Sequence, residues 1–390
     1  MKICIFADAE SIHTMRWVDY FTEKNHDVHL ISLNSSSNRQ NSSQFKFHRV
    51  KISIVYRLLN FIINKILHYT PRIIFKIYAI QVQKILKTIN PDILHAHFLS
   101  SYGIMGALTD NHPLIISIWG SDVLVAPNKH KAIKMMELHA LKKADCITTI
   151  PEFMKNHVIK LFGIQEDKII RIPWGIDLKV FHKGYISETD FMRDSLKINK
   201  DSPIILSNRA TTPHYNIKNI INAVPEVIKV SKNAVFIFIK GSGSSIYFNE
   251  IQSIAQDLGI IDNVRFINEL ISPEKMAVYL NIADMMISIP KTDQFASSIM
   301  EGMACGVIPI VGNLKVYEQY LTNNKNAFFT DPENPTEIAQ KIIHCIKHPE
   351  IKEEFYKINL EIIKKYENFD INANKMYELY TDLLSNSSEN

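Results

Sequence analysis

The segment KICIFADAESIHTMRWVDYFTEKNHDVHLISL, Lys2 to Leu33, passes from one short apolar run to another through a stretch of helical spacing. Lys2–Ala7 is a continuous apolar run of the kind found in a parallel strand covered on both faces. After Ser11 the apolar residues Met15, Val18, Tyr20 and Phe21 recur at helical spacing. Asp27–Leu33 is extended again. The order is β-α-β, which joins two parallel strands through a helix.

The same alternation continues through DILHAHF (92–98), LIISIWG (114–120), DCITTI (145–150) and KIIRIPW (168–174). A polar stretch from His182 to Pro203 interrupts it, and it restarts with IILSNRA (204–210), AVFIFIKG (234–241), NVRFIN (263–268), MMISIP (285–290) and VIPIVG (307–312). A chain of 390 residues is long for one core, so two domains are expected. The fold class is α/β, with two Rossmann-like parallel-sheet domains and ligands bound beyond the carboxyl ends of their strands. The expected division is 1–182, a linker over 183–202, a second domain over 203–368, and a terminal helix over 369–390, helical to about Leu384, that packs back toward the first domain.

Composition narrows the class. Apolar residues at 46% and charged residues at 22% suit a folded globular protein. Cys4, Cys146, Cys305 and Cys345 are far apart and match no metal-ligand spacing, which favours buried thiols in a reducing compartment. Asp8 and Glu10 come too early for a signal-peptide core, and no run of 18 apolar residues is present. The expected location is cytoplasmic. Net charge is only +4, but Val28–Asn90 holds ten Lys/Arg and no acid. This basic stretch, 46–87, is read either as amphipathic helices on an anionic membrane surface or as helices packed on a sheet with solvated lysines. No nucleic-acid partner is expected.

KTDQFASSIMEGMACGVIPIVG, Lys291 to Gly312, carries the chemistry. It reads as a loop after the strand MMISIP, a helix over SSIMEGMAC stopped by Gly306, and another strand. Asp293 falls in the loop and Glu301 about one turn into the helix, flanking amides suited to a diphosphate or sugar hydroxyls. Ser297 and Ser298 are candidate caps. His95 and His97 share a strand face, but no third ligand and no DxD pattern accompany them, so no metal cofactor is expected. IKGSGSSIY (239–247) lacks the third glycine of a dinucleotide fingerprint.

This arrangement resembles the E-x7-E motif of retaining glycosyltransferases of family 4, whose GT-B fold sets two Rossmann-like domains across a cleft. The resemblance extends to SIHTMRW, PDILHAHFLSSYG, SIWGSD, KIIRIPWGID, NVRFIN and MEGMACGVIPIV. It implies that Asp293, where the family has Glu, meets the transferred sugar, and that Glu301 holds the nucleotide ribose. Amides of Phe295, Ala296, Ser297 and Ser298 would lie beside the donor. Arg209 matches the family's phosphate-binding Arg; Lys218 stands further along than the usual Lys; Gly241 would edge the donor loop. In the first domain His13 and His97 either line an acceptor site or pack as core or capping histidines. Trp119 replaces the family's His of the His-Gly-x-Asp run, whose Asp is kept as Asp122. The implied activity is retaining transfer of a hexosyl group from a nucleotide diphosphate sugar to a saccharide or lipid-linked saccharide, in cell-surface polysaccharide or lipopolysaccharide synthesis; the membrane-surface reading of the basic stretch would put it on the inner face of the membrane. A nucleotide-sugar-binding scaffold and a nucleotide-sugar epimerase are the alternatives.

Overall fold

The computed structural model describes residues 1–34, 45–51, 71–129, 131–293 and 295–388. It divides into two units, one of Met1–Trp174 with Ile371–Asn390 and one of Gly175–Asp370.

The first unit is built on a seven-stranded sheet of order β3-β2-β1-β4-β5-β6-β7. These strands are β1 (Lys2–Phe6), β2 (Asp27–Ser32), β3 (Lys46–Arg49), β4 (Ile93–His97), β5 (Leu114–Ser117), β6 (Cys146–Thr149) and β7 (Ile169–Arg171). Every pairing is parallel, with Ile5 opposite Leu30 and His95. The second unit holds β8 (Ile204–Ser207), β9 (Val235–Ile239), β10 (Val264–Ile267), β11 (Met285–Ser288), β12 (Ile308–Gly312) and β13 (Phe328–Thr330), in the order β10-β9-β8-β11-β12-β13.

Side chains alternate along these strands between two cores. Ile204 and Leu206, Val235, Ile237 and Ile239, and Met286 enter one core. Ile205, Phe236 and Phe238, Met285 and Ile287, and Ile308 and Ile310 enter the other. That period of two, apolar on both phases, is why each strand reads as an unbroken apolar run. All four cysteines are buried and unpaired.

The boundaries differ from the expected ones. The stretch 183–202 contains the helix Ile186–Ser195, and it belongs to the second unit. Met192 and Ile198 enter that unit's core, and Arg193 donates to the carbonyl of Ile282 at 3.2 Å. The stretch is polar because most of the helix faces water, with Phe191 75% exposed. The last helix runs Phe369–Ser388, past the Leu384 expected. Within the first unit Tyr380 stacks on Phe21 and hydrogen bonds with His95 Nδ1 at 2.6 Å, and Tyr20 donates to Asn374 at 2.6 Å. Two strands escaped the sequence reading. β3 (KFHR) has no apolar run, and β13 has three residues.

Of the basic stretch, 52–70 lies outside the described residues. The helix Pro71–Ile89 turns Ile73, Lys76, Ile80, Lys84 and Lys87 to solvent. Among the described residues no helix is long and apolar enough to cross a membrane.

Candidate functional site

In the second unit, β8 has β9 on one side and β11 on the other, so the crossovers turn in opposite directions from it. The carboxyl ends of β8 and β11 form the switch point where open α/β sheets place their ligands. The loop after β8 sits beside both neighbouring loops. Thr211 N donates to Lys240 O at 3.1 Å on one side, and Lys291 N donates to His214 O at 2.9 Å on the other. A side chain at Gly243 would run into the carbonyl of Thr211, so the glycine permits that close approach.

Arg209 and Asp293 meet at this point. Arg209 Nη1 lies 3.0 Å from Asp293 Oδ2 and donates to Ser298 Oγ at 3.2 Å, and its guanidinium stacks 4.3 Å from the centre of the Tyr215 ring. Tyr317 donates to the same Asp293 oxygen at 2.8 Å. Arg209 is 9% exposed, the Asp293 side chain 6% and Tyr317 not at all. Burial and the Asp293 carboxylate push the Tyr317 hydroxyl well above its ordinary range, so it acts as a neutral donor. Asn208 Nδ2 holds the Ser298 carbonyl at 2.9 Å.

The placement changes several expected roles. Asp293, expected at sugar hydroxyls, is committed to Arg209 and Tyr317. Neither Ser297 nor Ser298 caps the helix Ser297–Ala304, because its cap residue is Ala296 and Ser298 faces Arg209 instead. Phe295 is buried, with φ 69°, and packs edge-on against Tyr317 at 5.8 Å. Glu301 lies one turn into the helix and is half-buried. The next residue, Gly302, lets the helix press on Met286 of β11, where any side chain would collide with the thioether. Gly241 has φ 54° and lies against Ala210. Lys218, second in the helix Ile217–Val230, is 56% exposed and 3.9 Å from Glu250. Tyr317 and Asn208 were not singled out from the sequence. Nothing in the spacing tells that a tyrosine 24 residues beyond Asp293 returns to it.

In the first unit three expected residues come together. His97 ends β4, and its ring lies 5.8 Å from Trp119, which lies 6.0 Å from His13. His97 is 2% exposed, and burial lowers its pKa to about 3, so it is neutral. Asp122 does not join them. It is fully buried, and its carboxylate accepts the amides of Leu99 at 2.8 Å, Gly120 at 2.6 Å and Trp119. A group so enclosed shapes the turns after β4 and β5 and is not placed to touch an acceptor.

Glu137, on the helix Lys131–Lys143, is also fully buried. Burial, and next the charge of Asp122, raise its pKa to about 8. From pH about 4.5 to about 8 the native state therefore keeps a proton that the unfolded chain has released, and stability falls as pH rises through that window. Burial raises Asp122 to about 6 as well, so Glu137→Gln is expected to remove the slope chiefly above pH about 6, worth at most roughly 1.4 kcal/mol per pH unit. Urea unfolding at the two ends of the window, followed by tryptophan fluorescence, checks it, because Trp17, Trp119 and Trp174 all lie in the first unit. Among the described residues no three His, Cys, Asp or Glu side chains form a group that could hold a metal ion.

Two parallel-sheet units, each with a switch point, the second with a buried Arg–Asp pair there, have the architecture of the GT-B glycosyltransferases. Residues 2–150 match the family model described as glycosyl transferase 4-like, and residues 188–361 match glycosyl transferases group 1. The chain belongs to the group 1 glycosyltransferases. It is 23% identical to the alpha-monoglucosyldiacylglycerol synthase of Acholeplasma laidlawii over 319 residues, 78% of each chain. A glycosyltransferase from Rickettsia africae superposes with TM-score 0.79 at 17% identity, covering 98% of this chain and 99% of that one. The Anabaena protein HepE, crystallised with UDP-glucose, does so with TM-score 0.80 at 14% identity, covering 97% and 99%.

Proposed function

We propose that the chain is a retaining hexosyltransferase that moves a sugar from a nucleotide diphosphate donor to a saccharide or lipid-linked saccharide in cell-surface polysaccharide or lipopolysaccharide synthesis. The observation that carries this reading is the buried Arg209–Asp293 pair at the β8/β11 switch point of the unit that matches the group 1 model. A guanidinium has five N–H donors in a planar fork. The Asp293 and Ser298 contacts employ Nη1, so Arg209 is oriented by the protein and still able to donate to an anion. Asp293 and Tyr317 hold that orientation in advance of the reaction, which is the form of electrostatic stabilisation that costs no reorganisation.

In this reading the acceptor hydroxyl attacks the anomeric carbon on the face from which the diphosphate leaves. The carbon–oxygen bond to the diphosphate breaks, and the hydroxyl proton passes to a departing phosphate oxygen. Arg209 and the more distant Lys218 balance the growing negative charge, with no metal in the scheme. Glu301 accepts hydrogen bonds from the ribose. The amides from Phe295 to Ser298 and the turn at Gly241 border the donor. His13, His97 and Trp119 lie on the acceptor side. The complex of HepE with UDP-glucose supports a nucleotide-sugar donor. A relative named as an alpha-monoglucosyldiacylglycerol synthase supports a lipid-bearing acceptor. The solvent face of the helix Pro71–Ile89, where Ile73 and Ile80 share the surface with Lys76, Lys84 and Lys87, suits contact with anionic lipid.

The test is incubation of the purified protein with a panel of nucleotide sugars, followed by mass analysis and NMR of the anomeric centre of the product. Free or transferred sugar of retained configuration is the expected result. Inverted product would overturn the retaining mechanism, and donor converted to an isomer of equal mass would make the protein an epimerase.

A further inference from the structure

Trp174, which follows β7 and was given no role above, joins the aromatic group of the first unit. His13 stacks on it with ring centres 3.9 Å apart and planes at 28°. Trp119 meets it edge-on at 4.9 Å and 73°, and Phe98 meets Trp119 edge-on at 6.2 Å. The rings arrive from the carboxyl ends of four strands of one sheet: His13 beyond β1, His97 on β4, Trp119 beyond β5 and Trp174 beyond β7.

Two features separate this group from ordinary core packing. Both nitrogens of His97, Nδ1 of His13 and Nε1 of Trp119 have no hydrogen-bond partner among the described residues, although each of these atoms is buried. Buried ring nitrogens in a core are almost always paired, because leaving one unmet costs roughly 1–3 kcal/mol. Trp119 and Trp174, by contrast, are only half-buried residues. Partnerless polar atoms beside accessible aromatic faces call for a ligand with an apolar face and a hydroxyl-bearing rim. A pyranose has both: its axial C–H groups lie on an indole, and its hydroxyls donate to or accept from neutral imidazole. Glycerol and small hydroxy acids lack the ring face.

We propose that Trp174 is a specificity-determining residue and that, with Trp119 and His13, it holds the acceptor through a neutral pyranose ring. The inference rests on the glycosyltransferase reading above and narrows its acceptor class. Intrinsic fluorescence of the full chain, titrated with methyl glucopyranoside, mannopyranoside, galactopyranoside and N-acetylglucosaminide, tests it, with glycerol and malate as ringless controls. At least one pyranoside is expected to give a saturable change that the controls do not. Its affinity should fall roughly tenfold in Trp174→Ala or Trp174→Leu and be largely kept in Trp174→Phe, which preserves a ring face. The leucine variant retains bulk should the alanine variant melt early. No saturable change with any pyranoside, an equal change with glycerol, or unaltered affinity in both Trp174→Ala and Trp174→Leu would overturn the assignment. Thermal shifts with the nucleotide-sugar panel are run in parallel. Their loss in the unsubstituted protein counts against the glycosyltransferase reading itself, whereas their survival beside a failed pyranoside titration counts only against the Trp174 proposal.

Discussion

Arg209→Ala is expected to lower kcat for transfer and for donor hydrolysis by two to three orders of magnitude, and to destabilise the second unit as well. The first effect follows from removing a preorganised donor aimed at charge that grows in the transition state, typically worth about 3–4 kcal/mol. The second follows from the Asp293 side chain, which is 6% exposed and would lose its cationic partner. Breaking a buried pair from one side typically costs about 3–5 kcal/mol. The two effects separate in a double-mutant cycle with Asp293→Ala. Removing both partners leaves no uncompensated charge, so Arg209→Ala/Asp293→Ala should recover stability relative to either single variant while remaining inactive. Arg209→Lys sharpens the argument. It restores a positive charge near Asp293 and much of the stability, but its compact ammonium lacks the planar fork, so activity should stay low. Activity of Arg209→Ala within tenfold of the unsubstituted protein, measured by donor hydrolysis at saturating donor, would remove Arg209 from the chemistry.

How far the sequence announces this site differs from residue to residue. Strands with both faces buried are written as apolar runs, so β1, β2, β4 to β12 and the two-domain plan are legible, while β3 and β13 are too short or too polar to stand out. Asp293 and Glu301 are legible because strand–loop–helix punctuation places them in the loop and first helix turns after β11, while Arg209 is marked by its match to the family's phosphate-binding Arg. Their mutual contacts are not, since a carboxylate in a loop reads the same whether it faces a sugar or a guanidinium 84 residues away in the chain. Asp122 shows the same limit. Its place in a familiar run suggests a ligand contact, and only the three amides around it reveal a structural clamp. Trp174 was overlooked because its partners are brought to it by sheet order, β7 at the edge and β1 near the middle, which local spacing does not encode.

Glu301→Ala should behave unlike Arg209→Ala, and the contrast follows from where the two side chains sit. Glu301 is half-buried on a helix held against the sheet at Gly302, and its loss removes neither member of the buried Arg209–Asp293 pair. Stability should fall less than in Arg209→Ala, because the buried Arg209–Asp293 pair keeps both its members. A carboxylate accepting hydrogen bonds from ribose hydroxyls does so equally in the ground state and the transition state, because the ribose takes no part in the bond changes. Hydrogen bonds to a charged group are worth about 1.5–3 kcal/mol, so donor KM is expected to rise roughly 10- to 150-fold while kcat at saturating donor is nearly kept. Glu301→Gln retains one carbonyl acceptor and should fall between the two. Initial rates across a donor series, with isothermal titration of the free nucleotide diphosphate, read both quantities. A fall in kcat with unchanged KM would move Glu301 from holding the nucleotide to the reacting centre, and unchanged values of both would take it out of the donor site altogether.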